Sequence, residues 1–199
     1  MPFSNYTELQ AAIADWLSRS DLTAVIPDFV RLAESRLQRE LRVSAMMKTV
    51  TGTLSVNPLV LPTDFMEIQV FTIGGTTPVS PAYLSPDTFA SLPQNTGTSV
   101  YLTITNNQLY MNPFSSGSNY TLVYFSTLPP LSSNSTNWLL SSSPDVYLFG
   151  SLLEAAPYLL NDERVDLWQS RLTGALAEIN GNDRRLRSKG MHQRQRVVW

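Results

Sequence analysis

The chain has 199 residues, 43% of them hydrophobic, and no cysteine, so disulfides and thiolate metal sites are excluded. A formal net charge of −2 hides a separation: residues 1–183 carry eight Lys/Arg against sixteen Asp/Glu, a net −8, whereas residues 184–199 carry six bases and no acid. An acidic body with a basic arm favours docking onto an acidic partner or onto another copy of the same chain. The opening MPFSNYTELQ has no basic stretch leading into an apolar one, so no signal peptide is expected. The apolar run from Val146 to Leu160 contains Glu154 and Pro157 and is too short to span a bilayer. The expectation is a soluble protein made in the cytoplasm, with one domain or one domain plus a subdomain.

In chain order, the first segment reads as helix, opened by a Thr7-x-x-Gln10 capping box, with Leu9, Ile13, Trp16 and Leu17 on one face. After a polar break at Ser18 to Thr23, a second helix starts at Pro27, a residue suited to the first turn. Ile26, Val30, Ala33, Leu37 and Leu41 make its apolar stripe, and Arg31, Glu34, Arg39 and Arg42 are assigned to the opposite side. Arg36 and Glu40 stand at i,i+4, a pair worth only about 0.2–0.5 kcal/mol, so the stripe decides the helix.

From Thr49 the period changes to two, and no Lys or Arg occurs between Lys48 and Arg164. Val50, Leu54 and Val56 precede an Asn57-Pro58 turn and then Leu59-Val60-Leu61; Phe65 to Ile73 is a further strand, ended by Gly74-Gly75. Ser85 caps a short helix running to Leu92. Val100 to Ile104, an Asn106-Asn107 turn and Leu109 to Met111 form a hairpin, because Asn tolerates the positive φ of tight turns. Asn119 to Phe125 closes the set, with Tyr120, Leu122 and Tyr124 on one face.

Leu128 to Ser142 reads as loop. Ser143 caps a helix with Pro144 first, Pro157 kinks or ends it, and Glu163 begins a longer helix whose Val165, Trp168, Leu172, Ala175 and Ile179 share a face. Asn180-Gly181-Asn182 is a breaker, with a kinked continuation into the Arg-rich stretch left open. The fold class is therefore α+β: a helical bundle of N- and C-terminal helices, an inserted small antiparallel β-sheet or barrel, and an extended basic arm. The expected divisions are 1–48 (helices), 49–127 (β subdomain), 128–183 (loop and helices) and 184–199 (docking arm).

The chain is poor in catalytic groups. Its one histidine, His192, lies in the expected flexible arm, where an imidazole is not held for triad chemistry. No phosphate-cradling glycine pattern and no metal-ligand spacing occurs, so no catalytic, cofactor-binding or metal residue is assigned. Asp64 and Glu67, a conceivable glycosidase pair, are three apart and would point to opposite faces of a strand. Trp16 and Trp168 lie on apolar faces and read as core, while Tyr101 and Tyr110 read either as an exposed sugar-binding ladder or as strand packing. What remains is the arm: Arg184, Arg185, Arg187, Lys189, Arg194 and Arg196, ended by Trp199 as an aromatic anchor. Six charges would also attract phosphate, but the acidic body repels DNA, and protein docking is the better reading.

Phe29-Val30-Arg31-Leu32-Ala33-Glu34-Ser35-Arg36-Leu37-Gln38-Arg39-Glu40-Leu41-Arg42 resembles a stretch of the head-to-tail adaptor (connector) proteins of tailed bacteriophages. So does Pro144-Asp145-Val146-Tyr147-Leu148-Phe149-Gly150-Ser151-Leu152-Leu153-Glu154-Ala155-Ala156-Pro157, followed by an acidic turn and a Trp-bearing helix; Tyr6-Thr7-Glu8-Leu9 is similar too. The resemblance implies a structural virion protein at the head–tail junction, assembled in the bacterial cytoplasm without a membrane. It implies a homo-oligomeric ring, typically of twelve copies, whose C-terminal extension docks on the portal protein. The β portion would face the next tail component, a nozzle or tail tube protein, and genome DNA would pass through the lumen without specific binding. The rival readings are a minor tail protein with a carbohydrate- or receptor-binding β domain, and a cell-wall hydrolase using Asp64 and Glu67.

Overall fold

Two stretches of helical periodicity flank a stretch of period two, and the chain folds along that division. The computed structural model describes residues 3–19, 21–75, 77–93, 99–159 and 163–192, with side chains to Ser188. Contacts separate two units, Met1–Ala45 with Leu128–Trp199, and Met46–Thr127.

The first unit is helical. α1 (Tyr6–Leu17) and α2 (Ile26–Glu40) are followed, after the β unit, by α4 (Trp138–Ser142), α5 (Pro144–Ala155) and α6 (Val165–His192); α3 (Pro86–Ala90) belongs to the second unit. α5 is the hub, packing against α1, α2, α4 and α6. Val146, Tyr147, Leu148, Gly150, Ser151, Leu152 and Ala155 are buried along it, as expected of a helix apolar nearly all round. Gly150 faces α2: a Cβ there would stand 3.4 Å from the Cβ of Ala33, at the near edge of ordinary contact.

The stripe predicted for α2 is buried along its whole length, from Ile26 to Leu41, and Arg36 meets Glu40 at 3.1 Å. Glu34 departs from expectation. It lies four residues after Val30, hence only about 40° round the helix from it, and is 8% exposed instead of solvated. Its Oε1 accepts from the Leu131 backbone N–H (2.8 Å) and from the Tyr147 hydroxyl (3.2 Å). Tyr147 in turn accepts from Asn137 Nδ2 (2.7 Å), which also donates to the Pro129 carbonyl (2.8 Å). Burial pushes the Glu34 carboxyl above its ordinary range, with the two hydrogen bonds opposing. This network holds the segment after residue 128 against α2 and α5.

Other local expectations shift. α1 starts one residue before Thr7, and Asn5 is its cap: Asn5 Oδ1 accepts from the Glu8 N–H (3.0 Å), and the Glu8 carboxylate accepts from the Ser4 N–H (2.7 Å). Asn5-x-x-Glu8 outcompetes Thr7-x-x-Gln10 because a carboxylate also meets the positive end of the helix dipole. Trp16 is 44% exposed, edge-on to Phe149, and Leu17 takes the core position. The Leu128–Ser142 loop contains α4, capped by Asn137 Oδ1 accepting from the Leu140 N–H (2.9 Å). Ser143 precedes α5 but makes no capping hydrogen bond, and Pro157 lies in a single 3₁₀ turn, Ala156–Tyr158, just past the end of α5.

The second unit is two sheets. β1 (Met47–Thr53), β7 (Asn119–Ser126) and β3 (Phe65–Ile73) form an antiparallel sheet with β7 central. β2 (Leu59–Val60), β6 (Gln108–Asn112), β5 (Tyr101–Thr105) and β4 (Ala82–Tyr83) form the other, whose β4–β5 pair is parallel. The arrangement is mixed, and no closed barrel is formed among the described residues, which removes the barrel alternative. Asn106 (φ 50°) and Asn107 (φ 57°) turn the hairpin through left-handed conformations, placing Leu102 opposite Met111 and Ile104 opposite Leu109. One core joins both sheets: Leu54, Leu61, Phe71, Leu102, Leu109, Met111, Leu122 and Tyr124. Asn57 stands in for a missing strand partner, donating to the Met111 carbonyl (2.9 Å) and accepting from its N–H (3.0 Å).

Candidate docking site at the end of the terminal helix

α6 passes through Asn180-Gly181-Asn182 without a break and runs to His192. At 28 residues it is about 42 Å long. The buried seam explains the continuation. Trp168, Leu172 and Leu176 face the unit, and Asp183, seven residues beyond Leu176, falls on the same side. The apolar part of the seam stops near Ile179, and a polar clamp takes over. Asp183 Oδ1 accepts from the Ser44 N–H (2.7 Å), and Asp183 Oδ2 meets Arg187 at 2.6 Å. Arg187 also donates to the Arg42 carbonyl (2.9 Å) and to the Ser44 hydroxyl (3.3 Å). Burial pushes the Asp183 carboxyl up, but the bonds from Ser44 and the charge of Arg187 outweigh it and hold it below the usual aspartate range.

The arm residues are thus divided. Arg184 and Arg185 are exposed, Arg187 is bound to the 42–44 segment, and Lys189 lies on the helix backbone. Arg194, Arg196 and Trp199 lie outside the described residues. Up to His192 the expected flexible extension is helix, because Asp183 and Arg187, four apart, fix it from the inner side. Leu186, 69% exposed beside Arg185, was not singled out from the sequence, although an apolar residue amid bases was the available signal.

Of the residues of the rival readings, Asp64 and Tyr110 have structural partners, and Glu67 is exposed on β3. Asp64 precedes β3, accepting from Lys48 and from the Tyr124 hydroxyl (2.8 Å). Burial pushes its carboxyl up, but those two partners hold it below the usual range, and the Tyr124 hydroxyl is raised to about 12 by burial and by this carboxylate. Tyr101 and Tyr110 are half-buried, and the Tyr110 hydroxyl donates to Gln108 (3.1 Å). No cluster of three or more metal-ligating side chains occurs among the described residues, and no helix among them is long and apolar enough to cross a membrane.

A bundle carrying an inserted pair of sheets, with the last six bases gathered beyond the last acid of the chain, suits a structural protein that acts by holding other components. The chain belongs to the SU10 adaptor protein family, whose model matches residues 4–196. It is a non-catalytic head-to-tail adaptor of a tailed bacteriophage, bridging portal and tail components at the head–tail junction of the virion. No curated protein matches the chain.

Proposed function

We propose that the adaptor grips the portal protein through its basic C-terminal stretch, Arg184, Arg185, Arg187, Lys189, Arg194, Arg196 and Trp199, and that copies close into a ring, twelve in number. Residues 1–48 and 128–183 build the ring wall, and residues 49–127 face the next tail component, a nozzle or tail tube protein. The acidic body suits a conduit through which genome DNA passes without specific binding, since like charge discourages adhesion. Assembly takes place in the host cytoplasm.

The observation that carries this reading is the sorting of charge: the last six bases all follow the last acid of the chain, Asp183, and four of them, Arg184, Arg185, Arg187 and Lys189, stand on a helix that extends past the apolar core. Repeated around a ring, such an end gives a multivalent attraction far stronger than one copy supplies. The test is charge reversal in the full chain, Arg184→Glu with Arg185→Glu, alongside deletion of residues 184–199. The expected result is a folded protein that fails to join portal-bearing heads, leaving tail-less particles under negative stain. Normal incorporation of the charge-reversed protein would refute the portal grip.

A further inference from the structure

The clamp gives the basic end a property that its composition lacks: a fixed geometry. Successive helical residues are about 100° apart, so with Asp183 and Arg187 turned inward, Arg185 points away from the unit. Arg184 and Leu186 stand on its two flanks, both exposed. Leu186, between Arg185 and Arg187, is 69% exposed, so burial among the described residues does not explain its choice over a polar residue.

We infer that the adaptor docks by inserting this pre-organised helix end into an acidic groove of the partner, with Leu186 filling an apolar recess and the Asp183–Arg187–Ser44 clamp positioning it. The inference rests on the basic stretch being the docking element, and it adds the mode of docking. Charge complementarity selects an acidic protein surface as the occupant. Leucine selects it over nucleic acid, because phosphate binding gains nothing from an aliphatic side chain, whereas a helix laid in a groove is anchored by one. Within the basic stretch, Arg187 then also serves as a positioning residue, tied to Asp183 and to the Arg42 carbonyl. Holding the helix before contact removes part of the ordering cost that a limp arm would incur on binding.

Two substitutions separate this from attraction by charge alone. Leu186→Ala keeps charge and helix propensity and removes only the aliphatic reach. Asp183→Ala breaks the clamp while making the region more positive, so simple electrostatics would strengthen binding. Each variant is measured as full-length protein against purified portal-bearing, tail-less heads, with exchange of the amides of residues 184–192 followed in the free protein. Leu186→Ala is expected to bind about tenfold more weakly, the effect of losing most of a buried leucine. Asp183→Ala should weaken binding by a similar factor, with faster exchange confined to the end of α6 and unchanged protection of α5. Wild-type protein failing to bind heads would overturn the portal reading and this inference with it. Wild-type binding matched by both variants would leave the portal reading intact and overturn the groove. Equal affinity for duplex DNA, insensitive to Leu186→Ala, would overturn it in favour of phosphate.

Discussion

Removing the Glu34 carboxylate tests whether the buried network, rather than apolar packing alone, secures the segment following residue 128. In Glu34→Ala, two buried donors lose their acceptor at once: the Leu131 N–H, at 2.8 Å, and the Tyr147 hydroxyl, at 3.2 Å. An orphaned buried polar group costs about 1–3 kcal/mol, so the pair would lose roughly 2–6 kcal/mol. Part of that returns, because burial already disfavours the carboxylate, as its raised pKa records. A net loss of about 2–4 kcal/mol is expected. Glu34→Gln keeps an acceptor oxygen in the same place and should cost about 1 kcal/mol or less. Urea denaturation followed by tryptophan fluorescence is the assay, since Trp16, Trp138 and Trp168 belong to the helical unit. The sign of the pH dependence is also determined. A carboxyl whose pKa is raised by folding binds its proton more tightly in the native state, so its contribution is fullest below the ordinary glutamate range. That contribution is lost as pH rises through the raised value. Wild-type stability measured relative to Glu34→Gln should therefore fall across that window and then level off. Equal stabilities of the Ala and Gln variants, or a difference curve rising with pH, would refute the reasoning.

Gly181→Ala should stabilise the protein by about 0.5–1 kcal/mol and raise its melting temperature, because a Cβ at Gly181 meets nothing within 4 Å and alanine is the better helix former. A destabilised variant would mean that α6 is broken at this point. Asp64→Asn should cost the β unit about 1–2 kcal/mol at neutral pH, since Lys48 and the buried Tyr124 hydroxyl lose a charged acceptor. Because folding lowers the Asp64 pKa, the wild-type advantage over this variant should be present above the ordinary aspartate range and vanish as pH falls through the lowered value. Hydrogen exchange of β3 and β7 across that range would check it.

Legibility varied with the kind of force involved. The α2 stripe, the Asn106-Asn107 hairpin and the Phe65–Ile73 strand could be read directly, because each is written locally as a period or as a turn residue with a required φ. α4 was missed since its five residues sit in a serine-rich stretch, and its start depends on Asn137, whose amide is held by Pro129 and Tyr147. Trp16 was misplaced for a related reason: a face of α1 wide enough for both Trp16 and Leu17 met a core that admits only one of them. The basic end was half legible. Its charge stood out, whereas the unbroken run of α6 through Asn180-Gly181-Asn182 did not, because a Gly between two Asn argues locally for a break.

By itself, the sequence determined the order of the helical and β blocks, the acidic body, the basic end and the absence of thiol chemistry, all of which follow from composition and short-range periodicity. Only the tertiary structure decided that two sheets share one core without closing, that Glu34 is an interior acceptor, and that α6 continues beyond its last apolar residue. These depend on partners such as Ser44 with Asp183, or Glu34 with Leu131, brought together by packing across long stretches of chain. A hydrogen bond of that kind leaves no period in the sequence, because either partner alone looks like an ordinary solvated polar residue.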